Sequence, residues 1–376
     1  MKITIKLTAI LIMLATLLTL TSCKTPLIDE IGSDSSTNAT SLNQGTSNNG
    51  TSSGTTSTDK STEESLGNLL LNNKNGIGNK APKKNANGEY PITGYLLSSS
   101  SVSDTNGNGM SIIYRLSDGS FLIYDGGNES VYGLLYKCLK DLSEGGDIII
   151  SAWVLTHGHG DHYGSLSRMA SEGYNYDVTI KELWMNPTSN SEDVWIYNKL
   201  KSMFPNTKIR NLVYGEKFTL DKIQVEVLCT PDVIPNRSDN TRNTFSIVTM
   251  LTIDGKKFLM TGDSDEPAWD YMVTKHNIHS LKCDYLQVPH HGVFWAGTAE
   301  AYELMDPSYI IVPSTVENIN LYAIDPRAKP TQDLYKKFGL TAGDIVKETD
   351  NKTYWFAGVY GDPTSQNVKC FFTASK

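Results

Sequence analysis

Three histidines and an aspartate within six residues constrain this chain more than any other feature. Positions 156–163 read THGHGDHY and follow the apolar run IIISAWVL, which predicts a buried strand. Imidazole nitrogens and carboxylate oxygens are ligands that suit zinc or a related divalent metal. In an extended loop His157 and His159 project the same way, whereas the adjacent Asp161 and His162 must diverge. Two ligand pairs directed at two neighbouring points predict two metal ions.

A repeated pattern indicates that the domain has two similar halves. Predicted strands at 110–116 and 121–124 are joined through an Asp-Gly turn and end at Asp125. Predicted strands at 244–253 and 256–260 repeat this arrangement and end at Thr-Gly-Asp, with Asp263 last. A carboxylate at this strand end can bridge two cations. The alternative for Asp263 is capping of a predicted helix at 268–276, although Ser264 and Asp265 can cap it instead.

The histidine motif supports a family resemblance. His-x-His-x-Asp-His resembles the signature of the metallo-β-lactamase superfamily and matches it at all four ligand positions. The resemblance implies an α+β fold, the αββα four-layer sandwich with two similar halves and helices outside two facing sheets. It also implies that Asp125 supports the histidine loop from beneath and orients its ligands by hydrogen bonds.

A second pair of histidines, His290 and His291, follows a predicted strand at 283–289. The Thr-Gly-Asp and Val-Pro-His-His-Gly motifs together narrow the resemblance to the metallo-β-lactamase domain of the competence ComEC/Rec2 proteins, over residues 108–356. Weaker similarities lie at 243–250 and 347–350. We expect His291 to bind the metal and His290 to lie near the substrate with a catalytic role, although the sequence leaves the choice of ligand open.

One metal ligand of the family has no counterpart here. Family members usually carry a further histidine soon after a Thr-Pro, but no histidine occurs between His162 and His276. Water or one of three side chains can take its place: Cys229, Asp232 or Asn243. We otherwise expect Asn243 to orient the ligands from behind without contacting a metal.

The first 90 residues predict export and tethering. Residues 1–22 combine a basic start with an apolar segment at 7–20 that is short for a membrane span. The segment resembles a bacterial lipoprotein signal, which implies lipid attachment at Cys23 and anchoring outside the cytoplasm. The alternative is an ordinary signal peptide or an N-terminal anchor. Residues 23–90 are rich in Ser, Thr and Asn, which predicts a flexible tether before a domain at 91–376.

Composition limits the classes of partner. The predicted domain has 25 basic and 34 acidic residues and shows no basic stripe, which argues against a large nucleic-acid surface. Four cysteines are scattered through the predicted domain and do not suggest a disulfide scaffold: Cys138, Cys229, Cys283 and Cys370. The sequence still allows one disulfide bridge among them. Cys138 lies on the apolar face of a predicted helix at 131–142, so we expect it in the core.

Together these features predict a lipid-tethered hydrolase with two divalent metal ions. We expect zinc, with manganese or iron as alternatives. His157 and His159 would hold one ion, Asp161 and His162 the other, with Asp263 between them. Asp161 could also orient the proton of the attacking hydroxide. The ComEC resemblance favours a phosphodiester substrate, either nucleic acid or a phosphorylated envelope polymer. The alternatives are a binding lipoprotein on a degenerate hydrolase scaffold, a lactam or thioester hydrolase, and a structural surface protein.

Overall fold

Two mixed β-sheets form the centre of the protein. The computed structural model describes residues 81–97, 109–171, 177–188, 191–276, 278–345, 353–357 and 368–375. These residues belong to one unit, Asp59–Lys376. The predicted signal peptide, Cys23 and the tether up to residue 80 lie outside them. In the described part of the chain, no helix has the length and apolarity needed to cross a membrane.

The strands of the described residues form the two sheets. In sequence they are β1 (Thr93–Leu96), β2 (Ile112–Arg115), β3 (Phe121–Tyr124), β4 (Ile148–Val154), β5 (Val178–Ile180), β6 (Glu182–Trp184), β7 (Lys208–Arg210), β8 (Lys217–Leu220), β9 (Ile223–Cys229), β10 (Val248–Ile253), β11 (Lys256–Met260), β12 (Tyr285–Gln287), β13 (Tyr309–Val312), β14 (Tyr354–Phe356) and β15 (Lys369–Thr373). The first sheet has the order β15-β1-β2-β3-β4-β6-β7, with β5 also paired to β4, and the second has the order β14-β13-β12-β11-β10-β9-β8.

Helices cover the outer face of each sheet. They are α1 (Tyr132–Leu142), α2 (Gly160–Ser171), α3 (Ser191–Met203), α4 (Glu266–Lys275), α5 (Ile278–Leu281), α6 (Ala299–Met305), α7 (Val316–Tyr322) and α8 (Lys329–Lys337). One buried cluster joins the first sheet to α1, α2 and α3, and another joins the second sheet to α4, α6, α7 and α8. The predicted inner face of α1, including Cys138, is buried.

A third cluster fills the space between the sheets and makes the structure four-layered. It contains Tyr114 and Tyr124 of the first sheet together with Leu251 and Met260 of the second. The Tyr124 hydroxyl also lies 2.7 Å from the hydroxyl of Thr249 across the interface. Burial of apolar surface on both faces of each sheet is the main force that holds the layers together. The predicted αββα sandwich is confirmed.

The two halves repeat the same strand pattern. In the first sheet β2 and β3 pair antiparallel, and β3 then pairs parallel with β4. In the second sheet β10 and β11 pair antiparallel, and β11 then pairs parallel with β12. The carboxyl ends of β3 and β4, and likewise those of β11 and β12, therefore lie at one edge of their sheet. Asp125, the histidine motif, Asp263 and the second histidine pair all follow these ends.

Several predicted boundaries were wrong. The sequence predicts a helix over 165–172 that ends before Gly173. Helix α2 instead begins at Gly160, five residues earlier, because the N–H groups of His162 and Tyr163 both donate to the His159 carbonyl. Its first turn is polar, so the apolar periodicity does not reveal it. Strand β10 begins at Val248 and not at 244, because hydroxyl groups of Thr241 and Thr244 bond to neighbouring backbone N–H groups and favour a turn.

Candidate metal centre

The two separated motifs meet in one buried cluster. Site 1 denotes the side chains of His157, His159 and Asp263. Site 2 denotes those of Asp161, His162, Asp263 and His291. Within each set, one potential ligand atom from every side chain lies within 4.8 Å of all the others. Residues of the two motifs, which lie 101 to 134 positions apart in the chain, are thus brought together by the two sheet edges.

Site 2 has the closer geometry. The His162 Nε2 atom lies 3.1 Å from Asp263 Oδ2 and 3.3 Å from His291 Nε2. His291 Nε2 lies 3.2 Å from Asp263 Oδ2 and 3.0 Å from Asp161 Oδ2. Metal–ligand bonds of about 2.0–2.1 Å in a tetrahedron separate the ligand atoms by about 3.3 Å. The four side chains therefore fit one divalent cation.

Site 1 is built on the first two histidines. His157 Nε2 lies 3.0 Å from His159 Nδ1 and 3.8 Å from Asp263 Oδ2. The histidine pair therefore has the ligand spacing of a metal site, while the carboxylate is slightly more distant. Only these three side chains contribute to site 1 among the described residues. A catalytic metal site commonly has three protein ligands and one position open to water or substrate.

Asp263 links the two sites. Its Oδ2 atom lies within 4 Å of imidazole nitrogens from both sets, those of His157, His162 and His291. Its Oδ1 atom is buried and has no hydrogen-bond partner among the described residues, and the side chain is only 2% exposed. An unpartnered buried carboxylate oxygen is costly unless a cation or donor satisfies it. The position fits a carboxylate that bridges two metal ions.

Hydrogen bonds behind the rings set their tautomers. His162 Nδ1 lies 2.8 Å from Asp125 Oδ2, and His291 Nδ1 lies 2.9 Å from the carbonyl of Pro313. Both partners are acceptors, so each Nδ1 carries a proton and each Nε2 is the nitrogen that faces site 2, where a metal ion can take the place of its proton. Asp125 also accepts the N–H and the hydroxyl of Thr156, at 2.8 and 2.7 Å. Asp125 thus lies beneath the histidine loop, where the resemblance places it.

The electrostatics of the cluster favour cations. Although burial opposes the effect, the negative charges of Asp263 and Asp125 raise the pKa of His162 well above its usual value. Against the same burial, the carboxylates of Asp263 and Asp161 raise the pKa of His291 to about 10. Burial holds the pKa of His157 well below its usual value, so this ring stays neutral. Site 2 therefore holds protons where a metal ion could replace them.

His290 lies beside the cluster and belongs to neither site. Its Nδ1 atom donates to the Phe294 carbonyl at 2.9 Å, and its Nε2 atom faces the amide nitrogen of Asn243 at 3.1 Å. His290 and His291 both have left-handed backbone conformations, with φ of 44° and 55°. Such strain in bulky residues clusters at functional sites. The tight turn directs the two rings apart and places only His291 among the potential ligands.

The absent family histidine has no evident substitute. Cys229, Asp232 and Asn243 take part in neither ligand set of the described residues. Burial also raises the pKa of the Cys229 thiol to about 12, so it stays protonated. Asn243 contacts His290, and its buried Oδ1 atom finds no hydrogen-bond partner within the described ranges. The sequence did not reveal the contribution of Pro313, because a backbone carbonyl carries no residue-specific signal.

The fold and the cluster define a class of αββα proteins with a His/Asp cluster that can hold metal. A family model described as the metallo-β-lactamase superfamily matches residues 104–312. The chain belongs to this superfamily, whose members are mostly metal-dependent hydrolases that bind one or two zinc or iron ions. A comparison with curated proteins found no match.

Solved structures show distant similarity. The metallo-β-lactamase fold protein YhfI from Bacillus subtilis is 15% identical over 58% of this chain and 85% of its own, with a TM-score of 0.38. CmlA, a diiron β-hydroxylase from Streptomyces venezuelae, is 13% identical over 62% of this chain and 46% of its own, with a TM-score of 0.39. Unliganded yeast PDE1 is 13% identical over 67% of this chain and 96% of its own, with a TM-score of 0.40.

Proposed function

We propose that the protein is a binuclear metal-dependent hydrolase that acts on a phosphodiester outside the cytoplasm. One observation carries the proposal: the carboxylate of Asp263 lies between two histidine sets, and one of its buried oxygens has no hydrogen-bond partner in the part of the chain that the structure describes. Metal ions held there would supply Lewis acidity and make hydroxide available near neutral pH. Zinc suits the nitrogen-rich donor set, and manganese or iron can use the same ligands.

Residues of the chain would bind the metal ions and orient the attacking oxygen. His157 and His159 would hold one cation, His162 and His291 the other, and Asp263 would keep the two close together. Asp161 is a partly exposed ligand, with 28% of its side chain accessible. Because it faces solvent while its Oδ2 atom lies next to His291, it can orient the attacking oxygen or accept its proton.

His290 and Asn243 would act on the substrate side. The Phe294 carbonyl and the Asn243 amide hold both ring nitrogens, and burial lowers the pKa of His290. The ring is therefore neutral and fixed in one orientation. The Nε2 atom of this neutral ring is an acceptor, and it can take a proton from a bound water or hydroxyl group only if Asn243 yields its hydrogen bond. We therefore assign His290 a role in substrate binding and proton transfer, with Asn243 controlling its availability.

Two sequence features support a phosphodiester substrate and an extracellular location. The Thr-Gly-Asp and Val-Pro-His-His-Gly motifs resemble those of the ComEC/Rec2 domain. The N-terminal segment resembles a lipoprotein signal ending at Cys23, which would anchor the enzyme to the membrane by lipid alone. The acidic composition favours a phosphorylated envelope polymer over nucleic acid. Metabolic labelling with a radioactive fatty acid tests the anchor, because a Cys23→Ser variant should lose the label.

The activity can be tested with metal-loaded protein. We expect about two equivalents of zinc per chain, from the two ligand sets, and turnover of bis-p-nitrophenyl phosphate that the His159→Ala variant loses. A parallel screen with a phosphomonoester and a lactam separates the alternative hydrolases. Two bound metals without turnover of any substrate would refute the enzyme and favour a binding or structural lipoprotein. That alternative draws support from the absent family histidine after Thr230-Pro231, for which the described residues supply no substitute ligand.

A further inference from the structure

A partly buried ion pair between Arg242 and Asp193 holds the segment that carries both histidines of site 1. The Arg242 Nε atom donates to Asp193 Oδ1 at 3.0 Å, and its Nη2 atom donates to the carbonyl of Gly158 at 2.5 Å. The second oxygen of Asp193 accepts the hydroxyl of Thr188 at 2.7 Å. Arg242 therefore connects helix α3, through Asp193, to the one residue that separates the two histidines.

The close packing at Gly158 shows that this arrangement is specific. A Cβ atom on Gly158 would lie 2.5 Å from Asp193 Oδ1 and 3.2 Å from the Ile196 side chain. Any other residue at 158 would therefore displace the carboxylate that holds the guanidinium. The Asp193 and Arg242 side chains are only 6% and 19% exposed, so solvent screens their interaction weakly. Charge-assisted bonds of this kind are roughly twice as strong as neutral ones.

We propose that Asp193 and Arg242 are positioning residues for site 1, a role that rests on the proposed binuclear function. The ion pair fixes the Gly158 carbonyl and thereby the spacing of His157 and His159. This support matters most at a site with three protein ligands, where the described residues provide no fourth ligand that limits the movement of the histidine loop. Site 2 needs no such support, because Asp125 and the Pro313 carbonyl orient its histidines from behind.

Substitution of Arg242 should weaken one metal site selectively. A lysine has no planar fork that can donate to the carboxylate and to the carbonyl together. We expect Arg242→Lys to weaken zinc binding at site 1 about 10- to 100-fold, the usual effect of losing such support. Site 2 should keep its zinc affinity. Asp193→Asn should act in the same direction, since it removes the charge that holds the guanidinium.

Arg210→Lys is a matched control. Arg210 is 23% exposed and is paired with Glu216, but it contacts neither ligand set. The readout is stepwise chelator competition, with the visible spectrum of cobalt-substituted protein reporting the coordination of each metal. The positioning role would be overturned if Arg242→Lys kept the wild-type zinc affinity at both sites. It would also be overturned if Arg242→Lys weakened both sites with no more preference for site 1 than Arg210→Lys shows. If the wild-type protein binds two metals without turnover, only the hydrolase proposal fails; if it binds none, both fail.

Discussion

Replacing Asp125 with asparagine tests how the centre is organised. Asp125 is fully buried and accepts three hydrogen bonds, from the N–H and hydroxyl of Thr156 and from His162 Nδ1. Asparagine has nearly the same shape but offers only one acceptor oxygen. The substitution therefore removes a charge and forces the surrounding donors into conflict, without leaving a cavity.

Both orientations of the new amide are unfavourable. If its oxygen accepts the Thr156 N–H, its NH₂ group faces His162 Nδ1, which must then become an acceptor. The His162 proton moves to Nε2, and the ring loses the lone pair that site 2 needs. If the oxygen instead accepts His162 Nδ1–H, the NH₂ group faces the Thr156 N–H, and two buried donors oppose each other.

The two outcomes have different magnitudes and different readouts. Loss of the correct His162 tautomer should weaken the metal at site 2 about 10- to 100-fold, which corresponds to about 1.4–2.8 kcal/mol. Opposed buried donors should lower the free energy of unfolding by about 1–3 kcal/mol. We expect the variant to show at least one of these losses, and hydrolysis should fall with occupancy of site 2.

Asp221→Asn is the control for this experiment. Asp221 also accepts an N–H and a hydroxyl from one residue, Ser117, at 2.7 and 2.6 Å. Its φ of 52° matches the 54° of Asp125, but its side chain contacts no potential ligand. For this control, chelator competition should show unchanged metal affinity. Thermal unfolding is measured on the same variants to compare their stability. If Asp125→Asn itself binds both metals within about threefold of wild-type affinity and unfolds at the same temperature, the orienting role is refuted.

Three further predictions concern the ligands, the fold and pH. His291→Ala should lower zinc content by about one equivalent because it removes one ligand set, whereas His290→Ala should keep both metals and lose turnover; equal metal loss in both would contradict the assignment. Gly164→Ala should lower the melting temperature, since its Cβ would lie 2.5 Å from the Glu129 backbone nitrogen. This overpacking costs about 1–3 kcal/mol, which exceeds the helix-propensity gain of about 1 kcal/mol. Gly133→Ala should raise the melting temperature, because a Cβ there has no described atom within 4 Å. Because carboxylates raise the pKa of His291 to about 10, zinc must displace a proton from this ring, so zinc affinity should rise with pH up to that value. Titration calorimetry at pH 8 should therefore give binding heats that depend on the buffer. Heats that do not depend on the buffer would exclude proton release.

Much of the fold follows from local patterns. Asp-Gly turns between apolar runs predict the hairpins β2–β3 and β10–β11, because these dipeptides favour the turns that match strand twist. The apolar face of α1 follows from helical spacing. The polar first turn of α2 was missed because its buried residue, His162, faces the metal centre and not the core. Apolar periodicity reports core contacts only.

The site was predictable only where its residues are close in sequence. The first motif places four potential ligands within six residues, so its chemistry can be read directly. The choice between His290 and His291 could not be read, since it depends on two consecutive left-handed residues. The contact between Arg242 and Gly158 joins positions 84 residues apart and has no local signature. Contacts of this kind depend on how the two halves pack.

Asp125 and Asp263 show why a repeated pattern does not determine a repeated role. Asp125 follows β3 directly, and its N–H still donates to the Val154 carbonyl of the neighbouring strand. Its carboxylate oxygens are then occupied by donors from Thr156 and His162 of the same half. Asp263 stands three residues beyond the end of β11, so its carboxylate reaches the imidazoles of the other half. Two additional residues thus separate a carboxylate that orients a ligand from one that can itself bind metal.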